Sequence, residues 1–218
     1  MALLVPPRTD SPELLDEHGG ARADVERSLR DLRRINRWLG GIAVYRRLLR
    51  PFAPVRSILD LGAGSADLVE SVPAPMRIAL DCKIDHLFYL RDGSAVRRVV
   101  ADAARLPFRE RAVDVVTSAH FFHHFTPAQN GTILRESLRV AARGVAVNDT
   151  RRHSIPLLFV SLLGLLGLVG RITRYDAPAS VRRGYTVEEA RAIGSTAGAA
   201  RLEIVRAFPF RFGIVLWK

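Results

Sequence analysis

Asp60, Asp81 and Asp102 follow one another at intervals of 21 residues. Each closes a short apolar segment: Arg56 to Leu61, Met76 to Asp81 and Val96 to Asp102. A strand plus a crossover helix takes about this many residues, since a βαβ unit needs about 30. The spacing therefore predicts three carboxylates along one rim of a parallel sheet, where ligands of such sheets bind. Gly62 and Gly64 follow Asp60, as expected where backbone approaches a ligand closely. Amides opening the next helix can hold an anionic group there. A second set could move protons. His120, His123 and His124 cluster after a fourth apolar segment, Val113 to Ala119, and histidine can exchange a proton near neutral pH. Metal chemistry is not expected, because neither a coordinating cysteine nor a helical H-x-x-x-H pair accompanies them.

These residues need a scaffold of strands alternating with helices. Short helices are expected over Asp67 to Ser71 and Ile84 to Leu90. Thr126-Pro127-Ala128-Gln129 reads as a capping box with proline at N1, opening a helix to about Ala142. A fifth strand follows at Gly144 to Asn148, and Thr186 to Glu189 is a second capping box. Arg201 to Phe210 and Phe212 to Trp217 read as a closing pair of strands. Such alternation implies a mostly parallel sheet covered on both faces. Ahead of it, Met1 to Gly20 reads as a loose lead-in with a turn at His18-Gly19-Gly20. Val25, Leu29, Leu32, Ile35 and Leu39 give an amphipathic helix from Asp24 to Leu39. Gly40-Gly41 interrupts it before a shorter helix, Ile42 to Leu49. The expected division is an N-terminal helical arm or lid over residues 1–54 and a ligand-binding domain over 55–218, with a cap segment at about 151–185.

The chain has 218 residues, 48% hydrophobic and 25% charged, which excludes disordered, collagen-like and coiled-coil chains. One cysteine, Cys82, excludes an internal disulfide. With no secretory signal pattern at the N-terminus, a cytoplasmic protein is expected. The net charge is +11, and residues 151–218 contribute +7 of it. That excess could serve nucleic acid, an anionic membrane surface or an acidic substrate.

Asp60-Leu61-Gly62-Ala63-Gly64-Ser65-Ala66-Asp67, then Ala79-Leu80-Asp81, then Ala101-Asp102-Ala103-Ala104-Arg105-Leu106-Pro107-Phe108, then Asp114-Val115-Val116 before His123-His124, resembles a class I S-adenosylmethionine-dependent methyltransferase over about residues 55–150. The resemblance implies an α/β, Rossmann-like seven-stranded sheet and S-adenosyl-L-methionine as cofactor. It places Asp60, Gly62, Ala63, Gly64, Asp81, Cys82, Asp102 and Ala103 around that cofactor. Asp81 would take the ribose hydroxyls, Asp102 and the Ala103 backbone the adenine, and Asp60 would brace the loop or reach the methionine end. The family's third glycine is replaced by Ala66. A nicotinamide-binding domain is the nearest rival. Its G-x-G-x-x-G fingerprint fails here, since Asp67 would face a pyrophosphate.

Asp31-Leu32-Arg33-Arg34-Ile35-Asn36-Arg37 and Val147-Asn148-Asp149-Thr150-Arg151-Arg152-His153 further resemble bacterial small-molecule methyltransferases found beside polyketide pathways. That resemblance implies a phenolic or quinone-like acceptor. His120 and His124 are then the catalytic candidates, and Asn36, Asn148 and Arg151 the acceptor-binding ones. A nucleic-acid methyltransferase is disfavoured, because no Asn-Pro-Pro-aromatic motif or RNA-binding module is present. A non-catalytic binding protein of the same fold is the other alternative. The apolar run Ile155 to Val169 is too short for a spanning helix, which needs about 20 residues. It is expected to pack against the arm over the strand ends, with Gly40-Gly41 as hinge; a dimer contact or a peripheral contact with the inner membrane face are its alternatives.

Overall fold

The computed structural model describes residues 4–15, 22–89 and 93–218. The turn expected at His18-Gly19-Gly20 and the end of the helix expected to reach Leu90 lie outside the described residues. The strands are β1 (Ser57–Leu61), β2 (Met76–Asp81), β3 (Arg97–Val100), β4 (Val113–Ala119), β5 (Ala141–Thr150), β6 (Arg201–Ala207) and β7 (Arg211–Trp217). They form one seven-stranded sheet in the order β3-β2-β1-β4-β5-β7-β6. All neighbours from β3 to β5 are parallel, and β7 runs antiparallel to both β5 and β6.

The helices are α1 (Arg22–Trp38), α2 (Gly41–Leu49), α3 (Asp67–Glu70), α4 (Ile84–Leu87), α5 (Pro127–Val140), α6 (Ser154–Leu165), α7 (Arg171–Arg183) and α8 (Val187–Ser195). Apolar side chains alternate between two buried clusters, one on each face of the sheet. Leu59, Val116 and Val145 join α5 and α8 through Ile133, Leu134 and Ile193. Ile58, Val115 and Ala146 join α2 and α3 through Tyr45, Leu48 and Val69. Both expected capping boxes form, Thr126 with Gln129 and Thr186 with Glu189.

Several expectations need correction. β3 stops at Val100, so Asp102 lies beyond it instead of ending it. Its carboxylate accepts the Ala104 N–H at 2.8 Å and closes a turn, the usual local use of aspartate. β5 extends to Thr150 because β7 pairs with it from Gly144 onward. Residues 4–15 hold no regular helix or strand beyond short turns, yet they are stitched down. The N–H groups of Leu14 and Leu15 donate to Asp176 at 2.8 and 3.1 Å, and Arg8 donates to the carbonyls of Arg183 and Phe125.

The arm is also arranged differently. α1 packs mainly on α7, and the apolar α6 packs on α7 too. Asp31 accepts the Gly170 N–H at 2.8 Å and the Thr173 hydroxyl at 3.2 Å. At Gly170 a Cβ would lie 3.0 Å from Arg27, so a glycine lets the arm close on this junction. α2 is a layer of the sheet, with Val44, Tyr45, Leu48 and Leu49 in its core. Buried packing is thus continuous across the division expected at residue 54. Gly40 does join α1 to α2, with φ of 75°. A Cβ there would lie 3.2 Å from the Phe208 carbonyl oxygen, so the joint rests against the β6–β7 turn.

Candidate active site

Chain crossovers reverse direction between β1 and β4, and such a switch point opens a crevice at the carboxyl ends of the strands. The glycine loop lies there, after β1. Gly62 has φ of 61°, and a Cβ on it would fall 2.1 Å from the Phe121 ring. Only glycine permits Phe121, just beyond β4, to close against the loop. Gly64 has φ of 50° and opens outward, for a Cβ there would meet nothing within 4 Å. Its N–H donates to Asp81 Oδ2 at 3.1 Å, while Lys83 N–H donates to Oδ1 at 3.0 Å. Burial works against the Asp81 charge, but His86, at 3.5 Å, and these two N–H groups outweigh it and hold the pKa below the usual carboxylate value. Asp81 is therefore ionised at neutral pH, with lone pairs left for further donors. Cys82 beside it is exposed. Ala63 donates to the Leu80 carbonyl at 3.0 Å, tying the loop to β2.

Asp60 is elsewhere. It is fully enclosed on the α2 face, where Oδ1 accepts from Thr117 Oγ1 at 2.8 Å and Tyr45 Oη at 3.1 Å. There it ties β1 to α2 and β4. Asp102 is exposed, and Ala103 is buried in the core. Asn36 is buried and donates to Asp67 Oδ2 at 3.2 Å, which ties α1 to the start of α3.

The second half of the crevice is built at the end of β5. Asn148 is 0% exposed, and neither its Oδ1 nor its Nδ2 has a partner among the described residues. Its carbonyl accepts the His120 N–H at 2.9 Å. His120 has φ of 52°, a left-handed conformation that turns the chain sharply off β4. Its Nδ1 lies 3.3 Å from Thr150 Oγ1, and Arg211 NH1 donates to its Nε2. Arg211 can only donate, so Nε2 accepts and Nδ1 carries the proton. Burial, then the Arg211 charge, keeps the His120 pKa well below 6.5. Burial also pushes Arg211 down to about 10, against the attraction of Asp149. Arg151, half-buried, stacks its guanidinium 5.3 Å from the Phe210 ring centre.

Residues 59–147 match the family model for a methyltransferase domain. Over these residues the chain carries a methyltransferase domain. The fold is similar to that of several solved structures. A methyltransferase from Aquifex aeolicus is 20% identical with a TM-score of 0.56, over 79% of this chain and 88% of its own. One from Archaeoglobus fulgidus is 15% identical with a TM-score of 0.57, over 82% and 93%. The plantazolicin methyltransferase BamL, solved with a triazolic desmethylPZN analog and SAH, is 11% identical with a TM-score of 0.62, over 86% and 89%. At these identities the likeness is one of fold. The chain matches no curated protein sequence.

S-adenosylmethionine fits the methyltransferase rim. Gly64 leaves open space over the loop, and Asp81 beside it is an ionised acceptor. Among the described residues no helix is long and apolar enough to cross a membrane.

One buried group of the methyltransferase escapes sequence reasoning. His123 Nδ1 lies 2.8 Å from Asp149 Oδ1, its N–H donates to Asp149 Oδ2 at 3.0 Å, and its Nε2 is 3.4 Å from Glu13. Burial disfavours the imidazolium, yet the Asp149 charge and the bonds to Asp149 and Glu13 carry its pKa up to about 10. His124 lies at the edge of this group, 4.0 Å from Glu13 Oε2. Glu13, His123 and His124 place three potential ligand atoms within 4.8 Å, where charge is already matched by ion pairing. Arg183 caps the group by donating to the carbonyls of His123 and His124. Two signals were available in the sequence: His123-His124 after β4, and Asp149 just past the expected end of β5. Glu13 gave none, because it lies in a segment with no periodicity.

Proposed function

We propose that the protein O-methylates a small phenolic acceptor held at the end of β5. The observation that carries this reading is Asn148, a fully enclosed amide with both polar atoms unpartnered. Buried polar groups are nearly always satisfied, and an acceptor hydroxyl that reaches it as the crevice opens would satisfy this one. S-adenosylmethionine supplies a methyl group on a sulfonium. Asp81 and the Gly64 backbone orient that cofactor over the loop, and Phe121 closes the loop from the β4 side.

Transfer to a phenol requires loss of its proton, and a phenol has a pKa near 10. Arg211 beside the crevice would stabilise the phenolate as it forms. His120 stays neutral at pH 7, and its Nε2 lone pair, taken up by Arg211, fixes the guanidinium. Thr150 fixes the tautomer through Nδ1. The acceptor would lose its proton to solvent as Arg211 holds the phenolate, its oxygen would take the methyl, and the sulfur–methyl bond would break to leave neutral S-adenosylhomocysteine. Asn36 and Arg151 act at a distance in this reading, Asn36 by holding α1 to α3 and Arg151 by shaping the Phe210 turn.

The test is turnover on a panel of simple phenols by the wild type, Asn148→Ala and Arg211→Lys. Removing one such donor is expected to lower kcat/KM by about a hundredfold, with S-adenosylhomocysteine affinity unchanged. No methylation of any phenol, or equal turnover by all three proteins, rejects the reading.

A further inference from the structure

α6 presents the wrong face to its surroundings. Ile155, Leu158, Phe159, Leu162, Leu165 and Leu166 recur at helical spacings of three and four and all point outward. Leu158 and Leu165 are each 72% exposed. The opposite side of the helix meets α7, where Gly164 seats against Arg174. A surface helix of a protein in water carries polar residues outward. An apolar stripe of this length marks a contact with something else.

The neighbouring charges say what that is. Between Arg151 and Arg183 the sequence holds six arginines and a single carboxylate, Asp176. Asp176 is buried and occupied by the Leu14 and Leu15 N–H groups. Arg171 and Arg174, on the helix beneath the stripe, are exposed, with Tyr175 beside them. On α1, Asp24 pairs with Arg171 at 3.5 Å and the buried Asp31 is taken up by Gly170 and Thr173, while Arg27 and Arg30 stay exposed. A leucine-rich stripe bordered by arginine and tyrosine matches a helix lying in the interface of an anionic bilayer. At 1.5 Å per residue, twelve residues reach about 18 Å, well short of the roughly 30 Å hydrocarbon core. The helix can lie in the surface and cannot cross it. A second copy of the chain is a poorer occupant, because pairing two such faces would bring the arginines of both together.

We propose that the outward face of α6, with Arg171 and Arg174, docks the protein on an anionic phospholipid surface. This docking surface is independent of which acceptor is methylated. The experiment is co-sedimentation of the full chain with vesicles of phosphatidylcholine alone and of phosphatidylcholine with phosphatidylglycerol, at low and high salt. Binding is expected only to the anionic vesicles, weakening as salt rises. The double variant Leu158→Glu/Leu165→Glu should lose about tenfold or more of that binding. Both positions are exposed, so the variant should keep the wild-type affinity for S-adenosylhomocysteine, which verifies its fold. Equal binding to neutral vesicles, no binding by the wild type, or undiminished binding by the variant overturns the proposal. So does a dimer in sedimentation velocity that the variant dissociates while vesicles stay unbound.

Discussion

The Tyr45 hydroxyl donates to the Asp60 carboxylate at 3.1 Å, joining α2 to the strand that carries the glycine loop. Burial pushes Asp60 up to about 7, with the bonds from Thr117 and Tyr45 working against the rise. A raised carboxyl pKa means that the folded state holds its proton longer than the unfolded chain. The stabilisation is complete below about pH 4 and is lost as pH rises through about 7. At about 1.4 kcal/mol per unit, the swing is at most about 4 kcal/mol. Asp60→Asn should flatten the stability profile over that window. Denaturant midpoints of the two proteins between pH 4 and 8 check this, and parallel profiles would show that Asp60 ionises normally.

Asp81 should carry much of the cofactor affinity. Ribose hydroxyls donating to an ionised carboxylate are charge-assisted bonds, worth about 1.5–3 kcal/mol each. Asp81→Ala should weaken S-adenosylhomocysteine binding by about tenfold or more. Calorimetry on the folded variant reads this directly, and unchanged affinity would remove Asp81 from the site.

The two loop glycines should respond differently to alanine. At Gly62 the new methyl collides with Phe121, so stability and cofactor binding should fall together. At Gly64 it meets nothing. Stability there should drop only by the cost of a left-handed alanine, about 1–2 kcal/mol, while cofactor binding drops further because the methyl occupies the open side of the loop. Thermal melts with and without S-adenosylhomocysteine separate the two cases. Similar ligand-free melting temperatures for both variants would contradict the close approach at Gly62.

The His123–Asp149 pair should matter for folding. Leaving one buried partner uncompensated costs about 3–5 kcal/mol, so Asp149→Asn should be strongly destabilised. Its pH dependence has a definite sign. His123 is raised to about 10, so its contribution is full below about pH 6.5 and is lost as pH rises through about 10. Melting curves from pH 7 to 10 should fall in the wild type and stay flatter in His123→Gln. Equal slopes would show that His123 is neutral in the folded protein.

The glycine loop and the succession of strands and helices were readable because they depend on local signals. Gly62, Gly64 and Asp81 sit where a strand-to-helix turn must sit, and both capping boxes mark their helix starts within four residues. Long-range pairings were not readable. Glu13 meets His123 across 110 positions, and no periodicity announces an acid that works alone. α7 gave no helix signal because Pro178 stands inside it. Arg211 looked like one more basic residue at a strand boundary. Its burial follows from β7 running antiparallel to β5, which sets Arg211 opposite Thr150.

The clasp of Asp31 on Gly170 and Thr173 fixes which segments must be moved together in a chimera. Asp31 is buried, and its partners lie about 140 positions away in sequence. An arm grafted from another chain would bring its own carboxylate to a junction shaped for this one. A junction grafted alone would strand Asp31 without donors. The natural module is therefore discontinuous. α1 and the segment around Gly170 and Thr173 are coupled across the whole length of the sheet domain, and chimeras should exchange both at once.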